Sequence, residues 1–331
     1  MWGDCHIHMI LDGVDYRAAF ARHRDRPDDD LIRSRLADYE SRGVTFLRDG
    51  GDRWGVGLRA KLLSPQYGID YRTPVFNICR AGHYGTFLGR SFETLADYRL
   101  LVDEVIARDG DFIKLMASGL MDFHTFGALT DTPCDAALLK DLVSVAHDHG
   151  LSVMVHANGH EAVSAALSAG VESIEHGAYL LPETLHQLSE SGAVWVPTLV
   201  TIGNLRGKGR FPDQVLTPLL ALQQENVAEA ARLGANIALG TDAGAYAVCH
   251  GQAVLEEYDL LHQALGAKTD EILRRGEGQI RAAFQKKISR LRGAGRSEID
   301  PYKFALHRRA ACPHAADGSC DSQRACSNRW F

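Results

Sequence analysis

Residues 151–180 read LSVMVHANGHEAVSAALSAGVESIEHGAYL and contain two short apolar runs separated by an amphipathic stretch. The runs Leu151–His156 and Glu172–His176 have the length and composition of buried β-strands, whereas Glu161–Ala169 has helical spacing. Gly170 follows this helix where glycine commonly ends one. Strand, helix and strand in this order predict a βαβ unit and a parallel sheet.

The same alternation extends from the start of the sequence to about residue 265. Eight runs are predicted strands: Gly3–His8, Val44–Asp49, Thr73–Cys79, Asp111–Met116, Leu151–His156, Glu172–His176, Ala193–Pro197 and Asn236–Thr241. Eight parallel strands close a barrel, so we predict an α/β fold of the (β/α)8 TIM-barrel class. The main alternative, a doubly wound open sheet, would carry a glycine-rich phosphate turn after the first strand, where this chain has His-Ile-His-Met at residues 6–9.

Amphipathic stretches between and after these runs predict the helices. They are Asp29–Ser41, Phe92–Ala107, Ala136–Asp148, Glu161–Ala169, Gln214–Leu233, Gln252–Leu265 and Thr269–Phe284. We expect the last two to close the barrel.

Composition limits the class of protein. With 331 residues, 45% hydrophobic and 24% charged, the chain has the balance of one large globular domain with a short appendage. The net charge of −6 argues against a nucleic-acid partner, and no apolar run has the length of a membrane span. Seven scattered cysteines fit a reducing compartment. We expect a soluble cytoplasmic protein that acts on a small-molecule substrate. A homo-oligomer is one option for its assembly.

The C-terminal region differs in composition from the rest. Residues 285–331 contain ten Lys or Arg against four Asp or Glu, which leaves −12 on residues 1–284. We predict a barrel domain over 1–284 and a poorly ordered basic tail over 285–331. A small zinc site formed by Cys312, His314, Cys320 and Cys326 is an alternative, although the spacing matches no zinc finger.

His6 and His8 stand two positions apart in a predicted strand. Both side chains therefore leave the same face of the strand and can reach one metal ion. An ordinary half-buried pair of histidines is the alternative.

Further side chains with metal-binding chemistry fall at the ends of other predicted strands. Lys114 lies near the end of the fourth run, His156 ends the fifth, His176 ends the sixth and Asp242 follows the eighth. Taken singly, each has a structural explanation: a surface lysine, core histidines or a helix cap. In a barrel all these strand ends meet at one rim, so their coincidence predicts a metal centre.

These motifs, in this order, resemble the binuclear type of the amidohydrolase superfamily, near its imidazolonepropionase-like and Xaa-Pro dipeptidase-like branch. The resemblance covers about residues 5–244 and rests on DCHIHM, the strand-four lysine, VHANG, EHGAYL and GTDAG. It implies that His6, His8 and Asp242 hold one divalent metal ion, that His156 and His176 hold another, and that carboxylated Lys114 bridges the two.

The resemblance also implies hydrolysis of an amide bond in a small substrate, such as a dipeptide, an N-acyl amino acid or a cyclic amide. Nitrogen and oxygen ligands without thiolate favour zinc, with manganese, iron or cobalt as alternatives. A water shared by two such ions is acidic enough to yield hydroxide at neutral pH, and Asp242 is the expected proton carrier. Lysine carboxylation requires a neutral amine, which desolvation favours.

Four other residues fall where the family places substrate contacts: His83, Tyr179, His250 and His124. A positioning or purely structural role is an equal alternative for each of them.

The chain departs from the family at both ends of the barrel. Relatives in this branch carry a small β-sandwich, of which no strand is recognisable here, so we predict a barrel without it. The same metal centre could serve an ester, lactone or phosphotriester hydrolase, or a barrel that binds metal without catalysis. The intact Asp242 argues against the last alternative.

Overall fold

Ten β-strands, all paired in parallel, run through residues 3–285, the part of the chain that the computed structural model describes. They are β1 (Gly3–Ile7), β2 (Phe46–Asp49), β3 (Asp70–Arg72), β4 (Asn77–Arg80), β5 (Arg90–Phe92), β6 (Ile113–Met116), β7 (Val153–Ala157), β8 (Ser173–His176), β9 (Val194–Val196) and β10 (Asn236–Ile237). Strands β1, β7 and β8 are buried along their whole length, as expected for a parallel sheet covered on both faces.

Two of these strands, β3 and β4, share one position of the barrel. β3 pairs with β2, and β4 pairs with β6. Between them the chain bends at Val75, whose φ of 71° is left-handed. Thr73 in this bend already faces the next strand, because its carbonyl accepts a hydrogen bond from the Asp111 amide at 2.9 Å. The predicted strand Thr73–Cys79 is therefore present but broken.

The barrel is completed between its last and first strands. The amide of Cys5 donates to the carbonyl of Leu239 at 2.9 Å, and the amide of His8 donates to that of Ala243 at 2.8 Å. Ile7 and Ala243 form a parallel bridge. β1, β2, β3 with β4, and β6 to β10 thus occupy eight positions, and the fold is the predicted α/β TIM barrel.

Eleven α-helices accompany the strands in the described residues. They are α1 (Tyr16–Arg22), α2 (Asp29–Ser41), α3 (Val56–Leu63), α4 (Leu95–Ala107), α5 (Ala136–Asp148), α6 (His160–Ala169), α7 (Pro182–Ser191), α8 (Val200–Gly203), α9 (Asp213–Arg232), α10 (Gln252–Leu265) and α11 (Thr269–Ala283). All seven predicted helices occur, with ends shifted by up to three residues. Helix α4 begins at a capping box between Thr94 and Asp97 rather than at Phe92.

Helix α11 closes the N-terminal end of the barrel. Its Ile280 and the adjoining Phe284 pack with an apolar cluster that includes Cys5, Phe46 and Phe112. Its backbone approaches the sheet closely at Gly276, where an added Cβ would lie 2.0 Å from the carbonyl oxygen of Ile237. With this end filled, the opposite end of the strands is the open one.

The strands of residues 3–285 all belong to the barrel or, for β5, lie beside β4, so no accessory β-sandwich occurs there. No helix among these residues has the length and apolar character to cross a membrane. Except for Gln285, the predicted tail over 285–331 lies outside the described residues, and so do Cys312, Cys320 and Cys326.

Candidate metal centre

The six predicted metal ligands lie at the open, C-terminal end of the barrel strands. His6 belongs to β1 and His8 follows it, Lys114 lies in β6, His156 in β7, His176 ends β8, and Asp242 follows β10. The register of the paired strands β6, β7 and β8 brings the ligand candidates on these strands together. Met116 of β6 pairs with His156, and Ala157 of β7 pairs with His176.

His6, His8 and Asp242 offer one ligand atom each, and the three atoms lie within 4.8 Å of one another. Oδ1 of Asp242 is 3.5 Å from Nε2 of His6 and 3.3 Å from Nε2 of His8. His8 and Asp242 keep 13% and 17% of their side chains exposed, whereas His6 keeps 1%. This cluster therefore opens to solvent on the side of His8 and Asp242.

His156 and His176 form a second pair beside this cluster. Their ring centroids are 4.6 Å apart, and the ring of His176 is 5.1 Å from that of His6. The structure therefore brings all four predicted histidines together, with the His6 ring centroid 5.4 Å from that of His8 and 5.1 Å from that of His176.

Outer hydrogen bonds orient the rings of His176 and His156, and the ring of His6 faces a carboxylate. Nδ1 of His176 lies 2.7 Å from Oγ1 of Thr198, and Nε2 of His156 lies 3.1 Å from the carbonyl oxygen of Gly119. Nδ1 of His6 lies 2.9 Å from Oε2 of Glu175. A histidine whose outer nitrogen is held in this way presents its other nitrogen to a metal.

Lys114 lies among these rings, with 1% of its surface exposed. Its Nζ has no hydrogen-bond partner within residues 3–285. Its charge helps to lower the pKa of all four histidines. Burial lowers the pKa of Lys114 itself, which favours the neutral amine.

Burial sets the charge of the remaining ligands. It lowers the pKa of His8 and of His156 to about 3, and those of His6 and His176 well below their ordinary value. These rings are therefore neutral at pH 7, which is the form that binds metals. Burial also raises the pKa of Asp242 well above that of a free aspartate.

The residues at the rim have an unusual backbone. His176, Thr198 and Asp242 have φ values of 68°, 50° and 59°, in the left-handed region that side chains other than glycine rarely adopt. Asp242 is held there by hydrogen bonds from its own amide to the His6 carbonyl at 2.7 Å, and from Thr241 to the carboxylate of buried Asp4. Such strain is typical of sites where geometry has a function.

The four predicted substrate contacts lie in different surroundings. His83 is paired with Asp131 at 3.1 Å and is one-third exposed. His124 is exposed and lies 5.1 Å from the ring of Phe211. Tyr179 directly follows the His176 loop, and its ring contacts Phe126 at 5.6 Å.

His250 is engaged at both ring nitrogens. Nδ1 lies 3.2 Å from the hydroxyl of Tyr39, and Nε2 lies 2.9 Å from the carbonyl of Leu11. These contacts favour the structural alternative that the sequence left open for this residue.

Three residues near the centre were not singled out from the sequence. Glu175 and Arg48 are fully buried in the barrel interior, and the Tyr84 ring lies 5.0 Å from that of His156. A signal for the first two was present, because Arg48 and Glu175 are charged residues inside predicted barrel strands. Tyr84 stands next to predicted His83, in a loop whose conformation the sequence does not determine.

Comparison with known proteins agrees with this architecture. The sequence profile of the amidohydrolase family matches residues 85–283, more than half of the chain, and this protein belongs to that family. Lys114, His156, His176 and Asp242 lie within the matched segment, while His6 and His8 precede it.

Curated relatives are similar over a shorter segment. Uncharacterized proteins of Mycobacterium tuberculosis and Mycobacterium bovis are 33% identical over 142 residues, which is 39% of this chain and 38% of each relative. The match thus spans well under half the length of these relatives.

Solved structures show the same fold. A Xaa-Pro dipeptidase with bound methionine has a TM-score of 0.68 at 19% identity, over 87% of this chain and 77% of that one. Ochratoxinase of A. niger has a TM-score of 0.71 at 20% identity, over 86% of this chain and 73% of that one. A prolidase in complex with N-methylphosphonate-L-proline has a TM-score of 0.64 at 21% identity, over 87% of this chain and 76% of that one.

Proposed function

We propose that this protein is a metal-dependent hydrolase that cleaves an amide C–N bond in a small substrate, such as a dipeptide, an N-acyl amino acid or a cyclic amide. The observation that carries the proposal is the cluster of His6, His8 and Asp242 beside the buried amine of Lys114. Membership of the amidohydrolase family supports C–N bonds as the target. So do the names of the similar dipeptidase and prolidase structures.

The donor set suits divalent cations. Neutral imidazole nitrogens and carboxylate oxygens bind zinc well, and manganese, iron or cobalt are compatible with them. His6, His8 and Asp242 would hold one ion, and His156 and His176 a second. The unsatisfied buried atoms Nε2 of His6 and Nζ of Lys114 fit this assignment, because polar atoms without a partner are costly in a dry interior.

Lys114 would join the two groups as a carbamate. Its neutral amine would form an N–C bond to carbon dioxide, and the nitrogen would lose a proton. The resulting anion has two oxygens for two cations. The lowered pKa of Lys114 favours this reaction, because only the neutral amine is a nucleophile.

Bound divalent cations would supply Lewis acidity, which lowers the pKa of a coordinated water toward about 7 and polarises a carbonyl oxygen. Asp242 would then move the proton. Its carboxylate lies on the solvent side of the cluster, where it can accept a proton from the attacking water and deliver it to the leaving nitrogen. Burial, which raises the pKa of Asp242, makes its carboxylate a better proton acceptor.

A matched substrate panel tests this proposal. Zinc-loaded and chelator-treated protein would be assayed on dipeptides, N-acyl amino acids, cyclic amides, lactones and phosphotriesters. We expect turnover of an amide that disappears on chelation and returns with zinc, manganese or cobalt. Turnover restricted to lactones or phosphotriesters would reassign the reaction, and turnover unaffected by chelation would refute the metal-dependent mechanism.

A further inference from the structure

Two charged residues are buried inside the barrel, between helix α11 and the candidate metal centre. Arg48 of β2 and Glu175 of β8 are both completely inaccessible to solvent. Nη2 of Arg48 donates to Oε1 of Glu175 at 2.8 Å. The guanidinium of Arg48 lies 4.4 Å from the centroid of the Phe284 ring below it.

The remaining contacts of Arg48 fix the pair in place. Nε of Arg48 donates to the carbonyl of Cys5 at 2.7 Å, and Nη1 donates to Oγ of Ser173 at 2.8 Å. Oγ of Ser173 in turn donates to Oε1 of Glu175 at 2.6 Å. Oε1 therefore has two donors, and the orientation of the carboxylate is determined.

The second oxygen of Glu175 faces His6. Oε2 lies 2.9 Å from Nδ1 of His6, in a contact bent away from linear hydrogen-bond geometry. Oε2 accepts no hydrogen bond of regular geometry from the part of the chain that is described, so its 2.9 Å approach to Nδ1 is its main polar contact. On the far side of the ring, Nε2 of His6 points to Asp242 at 3.5 Å. The imidazole thus lies between two carboxylates.

We infer that Glu175, fixed by Arg48, is a positioning residue that keeps the His6 proton on Nδ1 and so leaves the Nε2 lone pair free for a metal ion. A carboxylate only accepts hydrogen bonds, so it selects the tautomer with the proton on the nitrogen that it faces. The inference rests on the proposed metal site, and it assigns a function to the buried ion pair of Arg48 and Glu175.

Energetics support a functional reason for this pair. Burying two charges carries a large desolvation cost, and well-packed apolar residues of similar volume are often as stable or more stable. The neighbouring interior cluster around Phe46, Phe112 and Met154 is apolar. An ion pair at this depth is therefore better explained by its contact with His6 than by stability alone.

The first test needs no substitution. Metal-free wild-type protein labelled with ¹⁵N-histidine would be studied by long-range ¹H–¹⁵N NMR, with the His6 signals assigned by their loss in His6→Asn. We expect the proton on Nδ1. A His6 ring protonated on Nε2 would overturn the inference.

The second test measures metal affinity. Zn²⁺ and Co²⁺ would be titrated in competition with a chelator into the wild type and into Glu175→Gln. Loss of the positioning carboxylate should weaken affinity by about 10 to 100-fold, the usual effect of removing such a partner. The His6 tautomer population should shift toward Nε2–H in the same variant.

Glu257→Gln is the matched control. Glu257 is equally buried, but its carboxylate accepts the amides of Leu199 and Val200 and contacts none of the proposed ligands. Its variant should lose stability without losing Zn²⁺ affinity.

The outcomes separate the two claims. Unchanged Zn²⁺ affinity and tautomer in folded Glu175→Gln, or an equal loss of affinity in Glu257→Gln, would overturn the role of Glu175 alone. A wild-type protein that binds no divalent cation would refute the proposed function, and with it the purpose assigned to Glu175.

Discussion

Nε2 of His6 and Oδ1 of Asp242 lie 3.5 Å apart, although His6 lies in the first strand of the barrel and Asp242 follows the last one. The contact exists because the barrel is closed. The amide of Asp242 donates to the carbonyl of His6 at 2.7 Å, and Thr241 is held by Asp4 of the first strand. The hydrogen bonds that join the last part of the barrel to its first strand therefore also place Asp242 beside His6.

Asp242→Asn should separate metal binding from turnover. The amide keeps the size and one ligand oxygen but is not a useful proton acceptor at neutral pH, so we expect much of the metal content to remain. We expect kcat to fall by about 10² to 10⁴-fold, the usual contribution of a general acid–base. Metal analysis and steady-state kinetics on one preparation would check this. Wild-type kcat in the variant would exclude the assigned proton transfer.

Lys114→Gln should remove the bridge between the two ligand groups. Glutamine is uncharged, shorter than lysine and unable to form a carbamate, so we expect the bound metal to fall from about two ions per chain to one or fewer. The wild type grown or incubated with ¹³C-labelled bicarbonate should show a carbamate signal in ¹³C NMR that the variant lacks. Two retained ions in the variant, or no such signal in the metal-loaded wild type, would count against carboxylation.

Metal binding should release protons in a pH-dependent way. The pKa values of His8 and His156 are about 3, so these rings hold no proton to release between pH 5 and 8. Asp242 and Lys114 do hold protons in this range. Burial raises the pKa of Asp242, and Lys114 stays protonated below its own pKa, which burial lowers. Affinity for Zn²⁺ should therefore rise with pH as these two groups lose protons.

Calorimetry in buffers of different ionisation enthalpy would count the protons released. We expect a positive count that shrinks as pH rises and that is smaller in Asp242→Asn. A count of zero at pH 6 would show that these groups do not bind the metal.

His250 and His124 should respond differently to substitution. His250→Ala leaves the hydroxyl of Tyr39 and the carbonyl of Leu11 without their partner, which costs about 1 to 3 kcal/mol and should lower Tm. His124 is exposed, so His124→Ala should leave Tm nearly unchanged. Thermal unfolding followed by circular dichroism would compare them, and an equal Tm for the two variants would contradict the role given to His250.

Two glycines of helix α11 give a second pair of variants whose stabilities can be compared. A Cβ at Gly276 would clash with the carbonyl of Ile237, whereas one at Gly278 would meet nothing within 4 Å. Gly276→Ala should therefore destabilise the closed end of the barrel, while Gly278→Ala should stabilise the helix by about 0.5 to 1 kcal/mol. Urea unfolding would measure both free energies. A stabilising Gly276→Ala would show that α11 does not approach the sheet as described.

Much of the barrel could be predicted from the sequence because its βα units are locally consistent. Helix α6 ends before Gly170, and helix α2 begins after Asp28. Glycine favours the end of a helix and aspartate favours its start, and tertiary contacts reinforce both helices. The break at Val75 could not be predicted, since a left-handed φ contradicts the intrinsic preference of a β-branched residue. The length of strand β10 was overestimated in the predicted run Asn236–Thr241. Beyond Ile237 the chain is joined to β1 only by scattered hydrogen bonds.

The convergence of the six ligand candidates could be predicted because parallel strands place their C-terminal ends at one rim. The side chains that surround these candidates could not be predicted. The partners of His6 and His176, Glu175 and Thr198, depend on side-chain directions across neighbouring strands. The orientation of His250 toward Tyr39, rather than toward the rim, depends on a loop with no regular pattern.

Metal analysis of the purified wild-type protein tests the central claim most directly. Inductively coupled plasma mass spectrometry, on protein prepared without added chelator, should find about two divalent ions per chain. His6→Asn and His176→Asn should each lower that number while the barrel stays folded by circular dichroism. A folded wild-type protein that carries no divalent metal, even after equilibration with zinc, manganese and cobalt, would contradict the account.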